Sequence, residues 1–227
     1  MATYPPRQKC LKETVPSLVN QCSRLFIYLN DYSSVPDFLA HPRIEAFCGS
    51  KYPSCGDIGK FYMIEHVDGY YFTVDDDIIY PSDYMKRMVN RIEFYQHRAV
   101  LGVHGCVLNM NHMHNYYRAR NLTNYRNHLS MDRPVHVIGT GTAAFHTSTI
   151  KITLKQFPIP NMADIWFALQ GQKQKVPFIL INRGGFWLKD SPSAPSTSSI
   201  YRKSMNKEHG KLQTQTIKNY PDWKIYA

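Results

Sequence analysis

One apolar run in the chain ends directly in three carboxylates, at Tyr70-Tyr-Phe-Thr-Val-Asp-Asp-Asp77, and Ile-Ile-Tyr-Pro81 follows it. An apolar run without alternation is typical of a strand that is buried on both faces. Three adjacent carboxylates repel one another, and a cation relieves that repulsion. Hard divalent ions prefer carboxylate oxygens, and ligands bind at the carboxyl ends of strands in open α/β sheets. The alternative is a solvated acidic turn in which one aspartate caps a helix.

Similar apolar runs recur along the chain, at residues 25–29, 100–103, 135–138 and 178–181. Between them, apolar residues at helical spacing predict helices near residues 11–21, 82–96 and 161–174. Alternation of strands and helices predicts an α/β fold in which a mostly parallel central sheet is flanked by helices. We expect a single domain over residues 1–187, with residues 188–227 as its flexible lid or tail.

Composition limits the classes of protein that fit. The 227 residues include 27 Lys and Arg against 17 Asp and Glu, so the net charge of +10 favours an anionic partner. The charge forms no basic run and no nucleic-acid-reading motif occurs, so we predict no nucleic-acid partner. Five cysteines without a CxxC pair argue against a zinc or disulfide framework. The sequence also predicts no transmembrane segment and no secretory signal.

The last part of the chain differs in composition from the rest. Residues 191–199 consist of Ser, Pro, Ala and Thr, which is typical of a loop. Residues 200–227 carry six Lys and Arg against two acids. We expect either a disordered linker or a lid that closes over a ligand. The chain is also expected to be one domain of a longer polypeptide.

Residues 71–81 resemble the DXD segment of GT-A-fold glycosyltransferases, especially small polysaccharide-building members from an algal virus and from bacteria. Further blocks follow in the order of that family. They are Ala2-Thr-Tyr-Pro-Pro-Arg7, Leu25-Phe-Ile-Tyr-Leu-Asn-Asp31, Gly56-Asp-Ile-Gly-Lys-Phe61, Gly139-Thr-Gly-Thr-Ala-Ala-Phe-His146 and Asn161-Met-Ala-Asp-Ile-Trp166. The resemblance covers roughly residues 2–187. It implies a GT-A-like domain that transfers a hexose from a nucleotide sugar, expected to be a UDP-sugar, to a glycan hydroxyl. We expect a cytoplasmic location, in the host cell if the chain is viral, because no signal segment is apparent and the cysteines suit a reducing compartment.

The same resemblance implies Mn²⁺ or Mg²⁺ as the cofactor. By position, Asp75 and Asp77 would hold the metal, and Asp75 or Asp76 would contact the nucleotide. A run of three aspartates leaves this assignment open. His146 is the expected third ligand, and His104 and His209 are its alternatives.

The nucleotide contacts are also expected from the family's pattern. The base would lie against Thr3 and Tyr4 and pair with Asp31, although Asp31 could equally be a turn residue. Arg7 would approach the phosphates or the acceptor, with a plain surface arginine as the alternative. Asp57 and Lys60 would open a short helix, with Asp57 as its cap and Lys60 reaching a phosphate from the first turn.

Asp164 is the expected catalytic base, because inverting members of the family carry an acid at a comparable place. The family usually shows two adjacent acids, whereas this chain has Ala163-Asp164. A helix-dipole role is the alternative. Residues 109–133 contain four arginines and are expected to shape the acceptor site or to form a solvated loop. Two other functions remain open: a metal-dependent nucleotidyltransferase or phosphatase, and a basic module that binds glycan or nucleic acid without catalysis.

Overall fold

A computed structural model describes residues 1–194, 207–220 and 222–227, without the side chains of residues 207–209. The fold is mixed α/β. The described α-helices are α1 Gln8–Val19, α2 Tyr84–Phe94, α3 Ala163–Gln174 and α4 Lys207–Lys218. The described strands are β1 Ala2–Thr3, β2 Leu25–Leu29, β3 Ile44–Phe47, β4 Tyr70–Val74, β5 Ile78–Ile79, β6 Val100–Gly102, β7 Gly105–Leu108, β8 Arg120–Thr123, β9 Arg133–Val135, β10 Val137–Ile138, β11 Thr142–His146, β12 Phe178–Leu180 and β13 Lys189–Asp190.

The sheets differ from the predicted, mostly parallel central sheet. A three-stranded sheet, in the order β1-β2-β3, is parallel throughout. The five-stranded sheet has the order β4-β11-β6-β12-β9, and β6 with β12 is its parallel pair, while its other neighbouring strands are antiparallel. Short antiparallel sheets join β10-β7-β8 and β13-β5. A continuous apolar run shows only that both faces of a strand are covered, so it could not fix the direction of pairing.

The five-stranded sheet lies between two apolar cores, as expected for a sheet that has helices on both faces. Successive residues of β11 alternate between the cores, so that Ala144 packs with helices α1 and α2 while Ala143 and Phe145 pack with helices α3 and α4. The strands are therefore covered on both sides, which explains their unbroken apolar sequence. Within the described ranges, no helix is both long enough and apolar enough to cross a membrane.

The predicted element positions are mostly confirmed. The runs at residues 25–29 and 70–74 form β2 and β4 with those same limits. The run at residues 135–138 instead divides at His136, because its first residue pairs with β12 and its last two pair with β7. A short 3-10 helix, Gly56–Phe61, lies against β1 and β2 and becomes important at the site below.

Candidate functional site

A cleft of about 980 Å³ opens where β1, β2 and β4 end. It collects residues from segments that are far apart in the chain. Ten of the eleven predicted site residues line it, namely Thr3, Tyr4, Arg7, Asp31, Asp57, Lys60, Asp75, Asp76, Asp77 and Asp164. The cleft therefore brings together the residues of the quoted sequence blocks, and the exception is His146.

The middle aspartate of the triplet is tied to a buried arginine. The Arg7 guanidinium donates from Nε to both carboxylate oxygens of Asp76, at 2.8 and 3.0 Å, and its Nη2 lies 2.6 Å from Oδ1. Burial alone would lower the pKa of Arg7, but the carboxylates of Asp76 and Asp77 raise it above its usual value. Asp76 lines the cleft, yet both of its carboxylate oxygens are engaged by Arg7. The structure therefore gives Asp76 a supporting place, which differs from the nucleotide contact that was expected.

Asp75 pairs with a lysine from the 3-10 helix. The Lys60 ammonium forms an ion pair with Oδ1 of Asp75. Burial alone would raise the pKa of Asp75, but Lys60 lowers it below its usual value. The backbone N–H of Asp75 donates to the Tyr80 hydroxyl, which in turn donates to the carbonyl of Gly141 at 2.6 Å. Tyr80 and Gly141 thus position the acid, and sequence reasoning had assigned neither residue to this role.

Asp77 is the third member of the triplet and has a different environment. Its Oδ2 lies 2.6 Å from Nη2 of Arg7, and about a quarter of its side chain is exposed to the cleft. Burial and the neighbouring Asp75 carboxylate raise the pKa of Asp77 to about 6. The Asp77 carboxyl thus holds its proton more tightly than a free aspartate does, and a bound cation would favour its ionised form.

The donor atoms at the triplet fit a hard divalent ion. Arg7 and Lys60 contact Oδ2 of Asp77 and Oδ1 of Asp75, while the other oxygen of each carboxylate has no protein partner among the described residues. Mg²⁺ and Mn²⁺ are commonly held by one or two carboxylates together with substrate phosphates and water. The described residues contain no ready-made group of three or more His, Cys, Asp or Glu side chains around one point. These donor atoms therefore suit a divalent ion that is held by two carboxylates and by the phosphate oxygens of a ligand.

The charge of the cleft is opposite in sign to that of the whole chain. Its described acidic residues are Asp31, Asp57, Asp75, Asp76, Asp77, Asp164 and Asp190, whereas its basic ones are Arg7, Lys60, Arg120 and Arg126. His104 adds no charge near pH 7, because burial lowers its pKa to about 4. An anionic ligand would meet net repulsion here unless it entered with a cation.

Asp57 and Lys60 lie in the 3-10 helix, but not as predicted. Asp57 does not cap that helix. Its carboxylate accepts the N–H groups of Asn161 and Ala163, at 2.7 and 2.9 Å, and so caps the start of α3. Burial raises the pKa of Asp57 to about 6. Lys60 lies in the last turn of the 3-10 helix instead of the first. A partner more than a hundred residues away cannot be inferred from local capping rules.

Asp164 lies in the first turn of α3 and is held by Thr140. Its Oδ1 accepts the Thr140 backbone N–H at 2.7 Å and the Thr140 hydroxyl at 2.6 Å. The Lys60 ammonium also donates to that hydroxyl, at 3.4 Å. Burial would lower the pKa of Lys60, but Asp75, Asp57 and Asp164 raise it above its usual value. A continuous polar chain therefore joins Asp75, Lys60, Thr140 and Asp164.

His146 lies away from the cleft. Because β11 runs antiparallel to β4, His146 pairs with Tyr70, whereas Thr142 pairs with Val74 beside the triplet. Four residues of strand correspond to about 13 Å, and the His146 ring stacks on that of His97 at 4.2 Å. The structure therefore places His146 outside the cleft, away from the triplet where it was expected to complete the metal shell.

Of the two alternatives to His146, His104 lines the cleft. Its buried Nδ1 has no hydrogen-bond partner among the described atoms. His209 belongs to α4, but its side chain lies outside the described part. Among the histidines whose side chains the structure describes, His104 is thus the one that lines the cleft.

The far end of the cleft is formed by β1 and the turn after β2. Asp31 is exposed there and adopts a left-handed backbone conformation, with φ of 61°. Asn30 was missed by sequence reasoning. Its Oδ1 accepts the N–H groups of Cys55 and Gly56, and its Nδ2 donates to the Thr3 carbonyl. This buried amide fixes β1 and the 3-10 helix relative to β2. In the sequence, the Asn-Asp turn was the feature that pointed to Asn30.

The start of the predicted lid lies against the triplet. The N–H of Ser191 donates to the Asp77 carbonyl at 2.8 Å, and Glu13 of α1 accepts both the N–H and the hydroxyl of Ser193. Gln213 of α4 also lines the cleft. Of the predicted lid or tail, residues 188–227, the structure describes all but residues 195–206 and 221, and it places Ile217 of α4 in an apolar core.

No protein-family model matches the chain, and no curated protein matches it. The cleft combines carboxylates at a strand end, a buried ammonium, and a hydrogen-bonded acid at a helix start. Such an arrangement can accommodate an anionic ligand that arrives with a divalent cation, and Asp164 can accept a proton.

Proposed function

We propose that the protein is a metal-dependent glycosyltransferase that transfers a sugar from a UDP-sugar to a hydroxyl of a glycan. The observation that carries this proposal is the pair Asp75 and Asp77 in an acidic cleft, where one carboxylate oxygen of each has no partner among the described residues. The same cleft contains Lys60 and Asp164. The resemblance of residues 2–187 to GT-A-fold enzymes supports the same proposal.

Asp75 and Asp77 would hold Mn²⁺ or Mg²⁺, which would neutralise the diphosphate of the donor and stabilise the departing UDP. Lys60 would give a second positive charge to that diphosphate from its place beside Asp75. Arg7 would act indirectly, because it keeps Asp76 and one oxygen of Asp77 in place.

The uridine would occupy the end of the cleft that Tyr4 and Asp31 line. A carboxylate accepts the N–H of a uracil ring, and the Tyr4 ring offers an apolar face. Asn30 would keep the two strands that carry these residues in register.

Asp164 is proposed to accept the proton of the acceptor hydroxyl. As that oxygen forms its bond to the anomeric carbon, the bond from the anomeric carbon to the phosphate oxygen breaks, and its electron pair leaves with UDP. Thr140 holds one oxygen of Asp164 through two hydrogen bonds, so the other oxygen remains available for the proton.

Titration calorimetry with UDP tests the metal site. Wild-type protein should bind UDP with Mn²⁺ and bind it weakly without. Asp77→Asn should lose most of the metal-dependent binding, whereas Asp37→Asn, at an exposed aspartate outside the cleft lining, should keep it. Binding of UDP that is unchanged by Mn²⁺ would contradict the proposal.

A screen of nucleotide sugars, with and without Mn²⁺, tests the reaction. Release of UDP and free sugar is the expected product of slow transfer to water. Release of pyrophosphate would instead indicate a nucleotidyltransferase, and release of inorganic phosphate a phosphatase. Asp164→Asn should lower turnover at least about a hundredfold while UDP still binds. Full activity in that variant would exclude the proposed base.

A further inference from the structure

A second cavity, of about 720 Å³, adjoins the cleft. Arg120 and Leu122 line both cavities. These two residues are alternate positions of β8, so their side chains lie on the same face of the strand. An extended ligand that reacts in the cleft can therefore continue past β8 into the second cavity, which we call the β8 groove.

The β8 groove has the chemistry of a sugar-binding surface. Its polar lining includes the amides of Asn109, Asn111 and Asn121, and Val107, Met110 and Trp223 supply apolar surface. Amides fix the direction of hydroxyl groups by hydrogen bonds, while an aromatic wall contacts the apolar faces of sugar rings. Trp223 is held in place by its indole N–H, which donates to the Ile217 carbonyl at 3.0 Å.

The charge of the β8 groove is opposite to that of the cleft. Its ionisable residues are Arg118, Arg120 and His136, and no acid lines it among the described residues. Burial lowers the pKa of His136, so this residue is neutral near pH 7 and the two arginines give the groove its charge. The Arg120 guanidinium stacks on the rings of Tyr116 and Tyr117, at 4.6 and 4.8 Å, which restricts its orientation.

We propose that the β8 groove binds an acidic acceptor glycan, with sugar carboxylates lying against Arg118 and Arg120. This inference rests on the proposed function, because the adjoining cleft supplies the donor. A guanidinium matches the geometry of a carboxylate. Two arginines suit a glycan with scattered carboxylates better than a nucleic acid, which needs a stripe of basic residues along its phosphates.

Calorimetry with tetragalacturonic acid tests the β8 groove, and the same tetrasaccharide with reduced carboxyl groups is the neutral probe. Wild-type protein should bind the acidic probe more tightly. Arg118→Gln should weaken that binding about tenfold, since the Arg118 side chain is exposed and its loss leaves no buried partner. Arg98→Gln, at an exposed arginine before β6 and outside the lining of both cavities, should bind as wild type does.

The outcomes separate the groove from the proposed function. Equal affinity for both tetrasaccharides, or an unchanged affinity of the Arg118→Gln variant for the acidic probe, would overturn the proposed glycan binding in the β8 groove even if UDP and Mn²⁺ bind normally. Tighter binding of a single-stranded RNA oligonucleotide that depends on Arg118 would overturn it in favour of a nucleic-acid surface. If the protein binds the acidic probe selectively but fails to bind UDP, the result would support acidic-glycan binding in the β8 groove and contradict the proposed glycosyltransferase activity.

Discussion

The Asp75 carboxylate occupies the space that a side chain on Gly141 would need. A Cβ built on Gly141 would overlap Oδ2 of Asp75, the oxygen that has no protein partner among the described residues. Gly141 also receives the Tyr80 hydrogen bond through its carbonyl. The absence of a side chain at Gly141 therefore gives room to the Asp75 carboxylate.

Gly141→Ala should therefore displace Asp75. Overpacking at such a contact costs about 1–3 kcal/mol, and the loss should appear mainly in Mn²⁺-dependent UDP affinity. Gly184→Ala is the matched control, because a Cβ there meets nothing within 4 Å. Calorimetry and thermal unfolding on both variants check this, and equal UDP affinities would show that Asp75 tolerates the added methyl group.

The buried pair of Arg7 and Asp76 should contribute to stability. Asp76→Asn leaves the Arg7 guanidinium with reduced compensation in a buried place, so we expect a loss of about 3–5 kcal/mol in the free energy of unfolding. The Arg126–Asp190 pair is exposed, at 40% and 43% of the two side chains, so Asp190→Asn should cost about 1 kcal/mol or less. Urea denaturation compares the two variants, and similar losses would contradict a structural role for Asp76.

Lys60 should weaken the binding of Mn²⁺ when no donor is present, and it should strengthen the binding of the donor. Lys60→Met removes a positive charge beside Asp75, so Mn²⁺ should bind the protein alone more tightly, on the order of tenfold. UDP should bind the Mn²⁺-loaded variant more weakly by a similar factor. Manganese EPR and calorimetry measure the two effects, with exposed Lys12→Met as the control. A shift of both affinities in one direction would argue against the phosphate contact.

Burial of Asp57 should make stability depend on pH. Its folded pKa of about 6 exceeds the unfolded value of 3.8, so the folded state binds the proton more tightly. The contribution of Asp57 to stability is thus greatest below pH 4 and falls by about 3 kcal/mol as the pH rises through 6. Asp57→Asn lacks this titration. Urea unfolding from pH 4 to 7 should show the wild type losing stability relative to the variant, and a constant difference would refute the raised pKa.

Local sequence patterns predicted most of the elements, and the resemblance to GT-A-fold enzymes pointed to ten of the residues that line the cleft. The limits of β2 and β4 follow from unbroken apolar runs, because these strands are covered by a core on each side. Ten predicted residues meet at the cleft because the quoted blocks end at strand and helix ends, which the fold places at one edge.

Long-range pairing could not be predicted in the same way. His146 was expected at the triplet because it ends one of the quoted blocks, but antiparallel pairing of β11 with β4 places it beside Tyr70, away from the triplet. The capping of α3 by Asp57 and the clamp of Arg7 on Asp76 join segments that are remote in the chain. Neither contact leaves a local periodicity or spacing that would reveal it.

The carboxylate of Asp57 links the two parts of the cleft that carry Lys60 and Asp164. It belongs to the 3-10 helix that carries Lys60, yet it binds the backbone at the start of α3, beside Asp164. Under the proposed function, a donor that contacts Lys60 would also steady the turn that bears Asp164. We therefore expect a compulsory order of addition, in which the nucleotide sugar binds first and the acceptor second.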